Sequence, residues 1–162
     1  MSAATVRGNN AGTVAVARAF LRGIDLARFG SARSAFARLL DHSTESLSAA
    51  LPRGAQHWGV ARKLLNIFLR DCFYTTYLNK AFDLDRSESD YELPLDSVAA
   101  LHLARAAGRF RLPAWPGVKH VTPAQHAEFQ AAAAAEAAGR GIARVHLDAV
   151  WWSGSRDDSE PR

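Results

Sequence analysis

The stretch GVARKLLNIFLRDCFYTTYL, residues 59–78, decides the fold class of this chain. Its apolar side chains recur at helical spacing but occupy more than one face, as in a helix that packs on several sides. A helix of this kind needs neighbouring elements to cover it. The stretch therefore predicts a central helix that reaches from Val60 to Leu78.

The same helical spacing of apolar residues recurs in the sequence before this helix. Three helices are predicted there, from Thr13 to near Gly30, from Ser31 to Leu40, and from a cap at Ser43 or Thr44 to Pro52.

After the central helix, the charged residues 83–92 predict an exposed loop. Proline and glycine in residues 113–117 predict a packed loop held by Trp115. Further helices are predicted from the cap Asp96 to about Ala107, from Thr122-Pro123 to Ala138, and from Ile142 to Trp152. Strand-like alternation is absent over any useful length, so the sequence predicts an all-α fold of about six to eight helices.

A length of 162 residues is that of one ordinary domain. We expect a single helical domain over residues 13–152, with the motifs that carry chemistry inside residues 43–107. Residues 1–12 are predicted to be a flexible N-terminus, and the polar residues 153–162 a disordered tail.

Charge and composition narrow the function classes. A net charge of +4 and a pI near 9.7 favour an anionic partner such as nucleic acid. The single cysteine, Cys72, cannot form an internal disulfide. The N-terminus lacks a signal-peptide pattern, and no apolar run approaches the roughly 20 residues that span a bilayer. A cytoplasmic protein is expected, associated with the nucleoid when it is bound to DNA.

The sequence lacks the patterns of serine hydrolases, nucleotide hydrolases and metal sites. The chain contains no Gly-x-Ser-x-Gly elbow and no Gly-x-x-x-x-Gly-Lys phosphate loop. His120 with His126, and His146 with Asp148, do not complete a metal-binding pattern. We therefore predict neither a metal nor a cofactor.

Lys63 is the candidate nucleophile. The chain uses arginine for nearly all its positive charge, and Lys63, Lys80 and Lys119 are its three lysines. A partly buried lysine can lose its proton and attack as an amine, whereas arginine stays protonated. The alternative interpretation is that Lys63 is a solvated helix residue.

Two segments together resemble the helix-hairpin-helix DNA glycosylases. The first has the order helix, Leu51-Pro52, residues 59–63, helix, and the second places Leu93-Pro94-Leu95-Asp96 before a helix. The resemblance implies that Lys63 is the nucleophile and Asp96 the catalytic carboxylate. Their separation of 33 positions along the chain is most similar to that in the archaeal 8-oxoguanine DNA glycosylases.

This resemblance implies a base-excision repair enzyme, a DNA glycosylase with abasic-site lyase activity. Its partner would be double-stranded DNA that contains a damaged base, with an oxidised purine as the first guess. The chain departs from the family pattern in two places. Residues 53–58 lengthen the hairpin, and Ala61 stands where a second glycine is expected. A positive φ at position 61 would strain alanine.

The hairpin and its neighbours supply the other candidate site residues. Backbone N–H groups at a helix start can bind a phosphate, and aromatic faces can stack on an extruded base. Candidates for DNA binding are Gly59, Val60, Ala61, Arg62, Arg53 and His57, and candidates for base stacking are Trp58, Tyr74 and Tyr77.

Two other functions remain open from the sequence. A noncatalytic helix-hairpin-helix protein would bind nucleic acid in a salt-sensitive way without turnover. An all-α interaction protein would use Lys63 and Asp96 only as surface and cap residues.

Overall fold

A computed structural model describes residues 12–107 and 112–151 of the chain. The described residues contain helices and loops but no β-strand, which confirms the predicted all-α class. The predictions for residues 1–11, for Trp152 and for the tail at 153–162 lie outside the described residues. No helix within the described ranges is both long and apolar enough to cross a bilayer.

The first half of the fold consists of five α-helices, with a short 3-10 turn at Arg33–Ala35 before α3. Their bounds are α1 Thr13–Arg22, α2 Leu26–Ser31, α3 Phe36–Ala50, α4 Trp58–Tyr74 and α5 Thr76–Phe82.

The second half begins with a 3-10 helix and contains two longer α-helices. The elements are the 3-10 helix Leu84–Asp90, α6 Ser97–Ala106, α7 Pro123–Gly139, the 3-10 turn Arg144–His146 and the helical residues 147–151.

Two predicted boundaries in the N-terminal half are wrong. The predicted first helix is divided between α1 and α2, because Gly23 ends α1 and the Asp25 carboxylate accepts the Ala27 N–H at 3.1 Å to begin α2. The second and third predicted helices are one helix, α3. Thr44 does not cap a new helix there, because its hydroxyl donates to the Leu40 carbonyl one turn earlier.

Two later boundaries also differ from prediction. The central helix ends at Tyr74, where the Thr75 hydroxyl donates to the Asp71 carbonyl and the backbone turns extended. Residues 84–90 form a 3-10 helix instead of an exposed loop. Leu84 and Ser87 are fully buried, and the Ser87 hydroxyl donates to the Phe29 carbonyl.

The helices that flank the candidate site agree with prediction. Asp96 caps α6, and Thr122 caps α7 in a capping box with Gln125. Residues 112–117 form an irregular loop in which the Trp115 ring packs edge-on against Phe129.

Two hydrophobic clusters lie behind the candidate site. The first joins α1 to α5 with Tyr91 and Val145, and the second joins α6 and α7 with Leu93, Leu95 and Leu147. The chain passes from the first cluster to the second at Glu92, between buried Tyr91 and buried Leu93. Residues on the two sides of Glu92 therefore meet where the clusters adjoin.

Candidate active site

Lys63 and Asp96 meet where the two clusters adjoin. Lys63 lies in the second turn of α4, and its Nζ donates to Asp96 Oδ2 at 3.3 Å. The Lys63 side chain is only 17% exposed, and that of Asp96 is 39% exposed. The Lys63 side chain is therefore mostly buried, whereas the Asp96 side chain is exposed to water.

The two oxygens of the Asp96 carboxylate have different partners. Oδ1 accepts the backbone N–H groups of Val98 and Ala99, at 3.0 and 2.9 Å, and so caps α6. Oδ2 is left to face Lys63. Because the cap fixes the orientation of the carboxylate, the same interaction that starts α6 directs an oxygen at the amine.

Arg62, the residue before Lys63, is buried, although it was predicted to bind DNA. Its guanidinium donates to both Glu92 oxygens at 2.8 Å, to Asp41 at 2.8 Å and to Thr44 at 3.0 Å. With only 4% of its surface exposed, Arg62 binds these groups instead of a phosphate at the surface. Its donors are used inside the protein.

Glu92 is held as a buried carboxylate. Its oxygens accept hydrogen bonds from Arg62 and, at 2.9 Å, from the Asn66 side chain. Burial alone would raise the pKa of Glu92, but the hydrogen bonds and charge of Arg62 outweigh burial and hold it below its ordinary value. Glu92 is therefore ionised at neutral pH.

Helix α7 contacts the same segment from the other side. Gln130 binds both backbone groups of Leu93: its Oε1 accepts the N–H at 3.2 Å, and its Nε2 donates to the carbonyl at 2.7 Å. Nε2 also lies 3.4 Å from His126 Nε2. Because the Leu93 contacts fix the orientation of the amide, it presents an N–H to His126 Nε2.

His126 is neutral in the folded protein. Burial, with Arg62 and Arg144 nearby, lowers its pKa to about 4, although Glu92 and Asp41 act in the opposite direction. His126 Nε2 also lies 3.7 Å from Glu92 Oε2. The centres of the His126 and Trp58 rings are 5.1 Å apart, and the rings pack edge to face.

A narrow crevice lies beside Lys63. Its walls are Gly59, Leu95, Trp115, Val118, Val121 and His126, and it has no room for a water molecule. Gly59 lies so close to the opposite wall that a Cβ there would be 2.3 Å from the Val118 carbonyl oxygen. A ligand could enter this crevice only after its walls had moved apart.

The predicted hairpin residues are divided between surface and interior. Gly59, Val60 and Ala61 are buried in the first turn of α4. Ala61 has no positive φ, so the expected strain does not arise. Arg53 is exposed and His57 is partly exposed, in the connection between α3 and α4.

The aromatic candidates for base stacking lie at opposite ends of α4. Trp58 begins the helix, is partly buried, and has the Arg62 guanidinium 5.3 Å from its ring centre. Tyr74 ends the helix, about 16 Å further along the axis than Lys63 at 1.5 Å per residue. Tyr77 lies beyond it in α5. The structure therefore brings only Trp58 near Lys63.

Tyr74 takes part in a separate cluster. Its hydroxyl lies 2.9 Å from His146 Nδ1, and His146 Nε2 lies 2.6 Å from Glu88. Asp71 and Asp148, both near Arg70, add negative charge at this end of the helix. These groups lie at the end of α4 remote from Lys63, so Tyr74 belongs to a site separate from the candidate pair.

The residues that hold the candidate site in place were not predicted from the sequence. Asn66, Glu92, His126 and Gln130 carry no motif, and they lie in three different parts of the chain. The only sequence signal was the polar Asn66 within an apolar helical run. In the described residues, no three His, Cys, Asp or Glu side chains come together as a metal site would require.

Comparisons with family models, curated proteins and solved structures found no match for this chain.

Proposed function

We propose that the protein is a DNA glycosylase with associated abasic-site lyase activity, in which Lys63 is the nucleophile and Asp96 the catalytic carboxylate. The observation that carries the proposal is the contact of 3.3 Å between Lys63 Nζ and Asp96 Oδ2. The sequence resemblance assigned roles to two residues far apart in the chain. In the folded protein they are neighbours.

The surroundings of the pair suit this chemistry. Asp96 Oδ2 lies close enough to accept a proton from Lys63 and release the amine, and its negative charge can stabilise the cationic sugar as the glycosidic bond breaks. The apolar crevice walls shield the amine from water. Arg53 and His57, in the connection that corresponds to the hairpin, are at the surface where phosphates would bind.

The reaction would proceed through a covalent intermediate. Lys63 Nζ gives a proton to Asp96 Oδ2 and bonds to C1′ of the sugar as the C1′–N bond breaks, and the base leaves with that electron pair and takes up a proton. Nζ then loses a proton while the C1′–O4′ bond breaks and O4′ takes one up, which leaves Nζ and C1′ joined by the C=N bond of a Schiff base. Loss of a C2′ proton then expels the 3′ phosphate, and water releases Lys63.

One observation favours a second candidate, a helix-hairpin-helix protein that binds DNA without excising a base. The crevice beside Lys63 has no room for water, and therefore none for a base, in the conformation described. Such a protein would retain salt-sensitive binding to duplex DNA and would have no turnover.

Borohydride trapping distinguishes the two candidates. The protein is incubated with duplexes that carry 8-oxoguanine or an abasic site, and the covalent adduct is measured for the native chain, Lys63→Arg, Asp96→Asn and Lys80→Ala. Lys63→Arg keeps the charge but has no amine nucleophile. Lys80→Ala is the matched control, because Lys80 is exposed on α5, away from the candidate site.

We expect an adduct with the native chain and with Lys80→Ala, and none with Lys63→Arg. An adduct on the 8-oxoguanine duplex would show base removal as well as lyase activity. If the folded native chain binds DNA but forms no adduct on either duplex, the lyase mechanism is wrong and the binding protein becomes the better candidate.

A further inference from the structure

Gln130 occupies an unusual place in the fold. It lies on α7, is only 4% exposed, and forms hydrogen bonds with both the N–H and the carbonyl of Leu93. None of these bonds reaches Lys63 or Asp96 directly. Gln130 is linked to Asp96 through the backbone of residues 93–96 and to the crevice beside Lys63 through His126.

This backbone has few ways to move. Leu93, Pro94 and Leu95 are buried, and Asp96 follows directly as the cap of α6. On the α4 side, Arg62 and Asn66 hold Glu92. On the α7 side, Gln130 holds Leu93. Asp96 is therefore placed by contacts that begin on two different helices.

The contact with Leu93 requires an amide. A peptide group presents one donor and one acceptor, and glutamine can satisfy both with one planar side chain. Glutamate could accept from the Leu93 N–H but could not donate to its carbonyl, and methionine could do neither. The second N–H of Gln130 then bonds to neutral His126, which lines the crevice beside Lys63.

We infer that Gln130 is a positioning residue for the lysine chemistry: it fixes the segment that sets the Asp96 carboxylate against Lys63. The inference rests on the proposed function for its kinetic consequence, but the positioning itself is independent of any activity. Gln130→Met has a similar length and removes both hydrogen bonds with Leu93. The separation of Lys63 from Asp96 would then no longer be fixed from the α7 side.

The first measurement is kinetic. With an abasic-site duplex under single-turnover conditions, Gln130→Met should lower the trapping rate by about 10- to 100-fold, since small misplacements of reacting groups have effects of this size. DNA affinity should change by less than about twofold, because Gln130 is buried and cannot touch DNA. Gln125→Met is the matched control. It disrupts the capping box of the same helix without touching residues 92–96.

The second measurement needs no activity. Reductive methylation with ¹³C labels the three lysines, Lys63, Lys80 and Lys119, as separate NMR resonances. Gln130→Met should move the Lys63 resonance toward its position in Asp96→Asn and leave the other two unchanged. If Gln130→Met does not fold, it is replaced by Gln130→Glu, which keeps the acceptor for the Leu93 N–H and loses the donors to the Leu93 carbonyl and to His126.

The outcomes separate the two ideas. If the native chain forms no adduct but the Lys63 resonance moves in Gln130→Met, the proposed function is wrong and the positioning role stands. If the native chain is active and folded Gln130→Met keeps both the native rate and the native Lys63 resonance, the positioning role is wrong. A loss of rate equal to that of Gln125→Met, with no movement of the resonance, would also overturn it.

Discussion

Arg62 donates one hydrogen bond to each oxygen of the Glu92 carboxylate, and both donor–acceptor distances are 2.8 Å. The next residue of α4, Lys63, contacts Asp96. Two consecutive residues of one helix thus bind the segment that leads into α6, one through a buried pair and the other through the candidate catalytic pair. The buried Arg62–Glu92 pair therefore helps to hold the Lys63–Asp96 pair in place.

Breaking the buried pair from one side should be costly. Arg62→Met leaves the Glu92 carboxylate buried with Asn66 as its remaining hydrogen-bond donor, and we expect the free energy of unfolding to fall by roughly 3–5 kcal/mol. The double variant Arg62→Met/Glu92→Met should recover much of this loss. Urea denaturation measures both. As a control, Arg140→Met removes an exposed pair with Glu136 and should cost less than about 1 kcal/mol.

Stability should fall on mild acidification because of His126. The unfolded chain binds a proton as pH falls through 6.5, whereas folded His126 remains neutral down to about pH 4. The free energy of unfolding should therefore fall by about 2 kcal/mol from about pH 7 to about pH 5 on account of this group. Urea denaturation at a series of pH values measures it.

His126→Gln should remove this part of the pH dependence, and His42→Gln should not, because His42 is exposed on α3. An unchanged slope in His126→Gln would contradict the assignment to His126. The pKa of Glu92 is lowered in the folded protein, so this group contributes stability that is lost as the pH falls below the ordinary pKa of a glutamate. The test of His126 is therefore made above about pH 5.

Capping and catalysis by Asp96 can be measured separately. Asn is as good a cap as Asp, so Asp96→Asn should change the free energy of unfolding by less than about 0.5 kcal/mol, whereas Asp96→Ala should cost about 1 kcal/mol. Both variants remove the carboxylate that faces Lys63, so both should lose trapping. Full trapping by Asp96→Asn would show that the carboxylate has no part in the reaction.

Gly59 should tolerate no side chain. A Cβ there would lie 2.3 Å from the Val118 carbonyl oxygen and 2.4 Å from Val121 Cγ1, so Gly59→Ala must displace this wall. We expect a loss of about 1–3 kcal/mol, measured by thermal or urea unfolding. Gly139→Ala is the control, because a Cβ at the end of α7 would meet nothing within 4 Å. Equal stability of the two variants would mean that the 118–121 wall yields easily.

Local sequence signals predicted helices better than their ends. The apolar density of residues 59–78 correctly indicated α4, and Asp96 and Thr122 marked true helix starts. The prediction that Thr44 caps a helix was wrong because a threonine hydroxyl can either cap a new helix or donate to a carbonyl one turn earlier in its own helix. Only the packing of α3 decides between these two arrangements.

The pairing of polar residues could not be predicted in the same way. Arg62 resembled a DNA contact because an arginine beside a helix start usually faces solvent. Its main partner, Glu92, is 30 residues away, and no local pattern indicates that both are buried. The Gln130 contact joins residues 37 positions apart. Such contacts depend on how the helices pack.

The division into two hydrophobic clusters also bears on how the chain folds during synthesis. Apart from Val145, the first cluster is made of residues 17–91, which leave the ribosome before the second cluster is complete. We expect α1 to α5 to associate first, before α6 and α7 are in place. The amine and the carboxylate then come together only when the later helices dock, so the candidate site would be among the last features of the molecule to form.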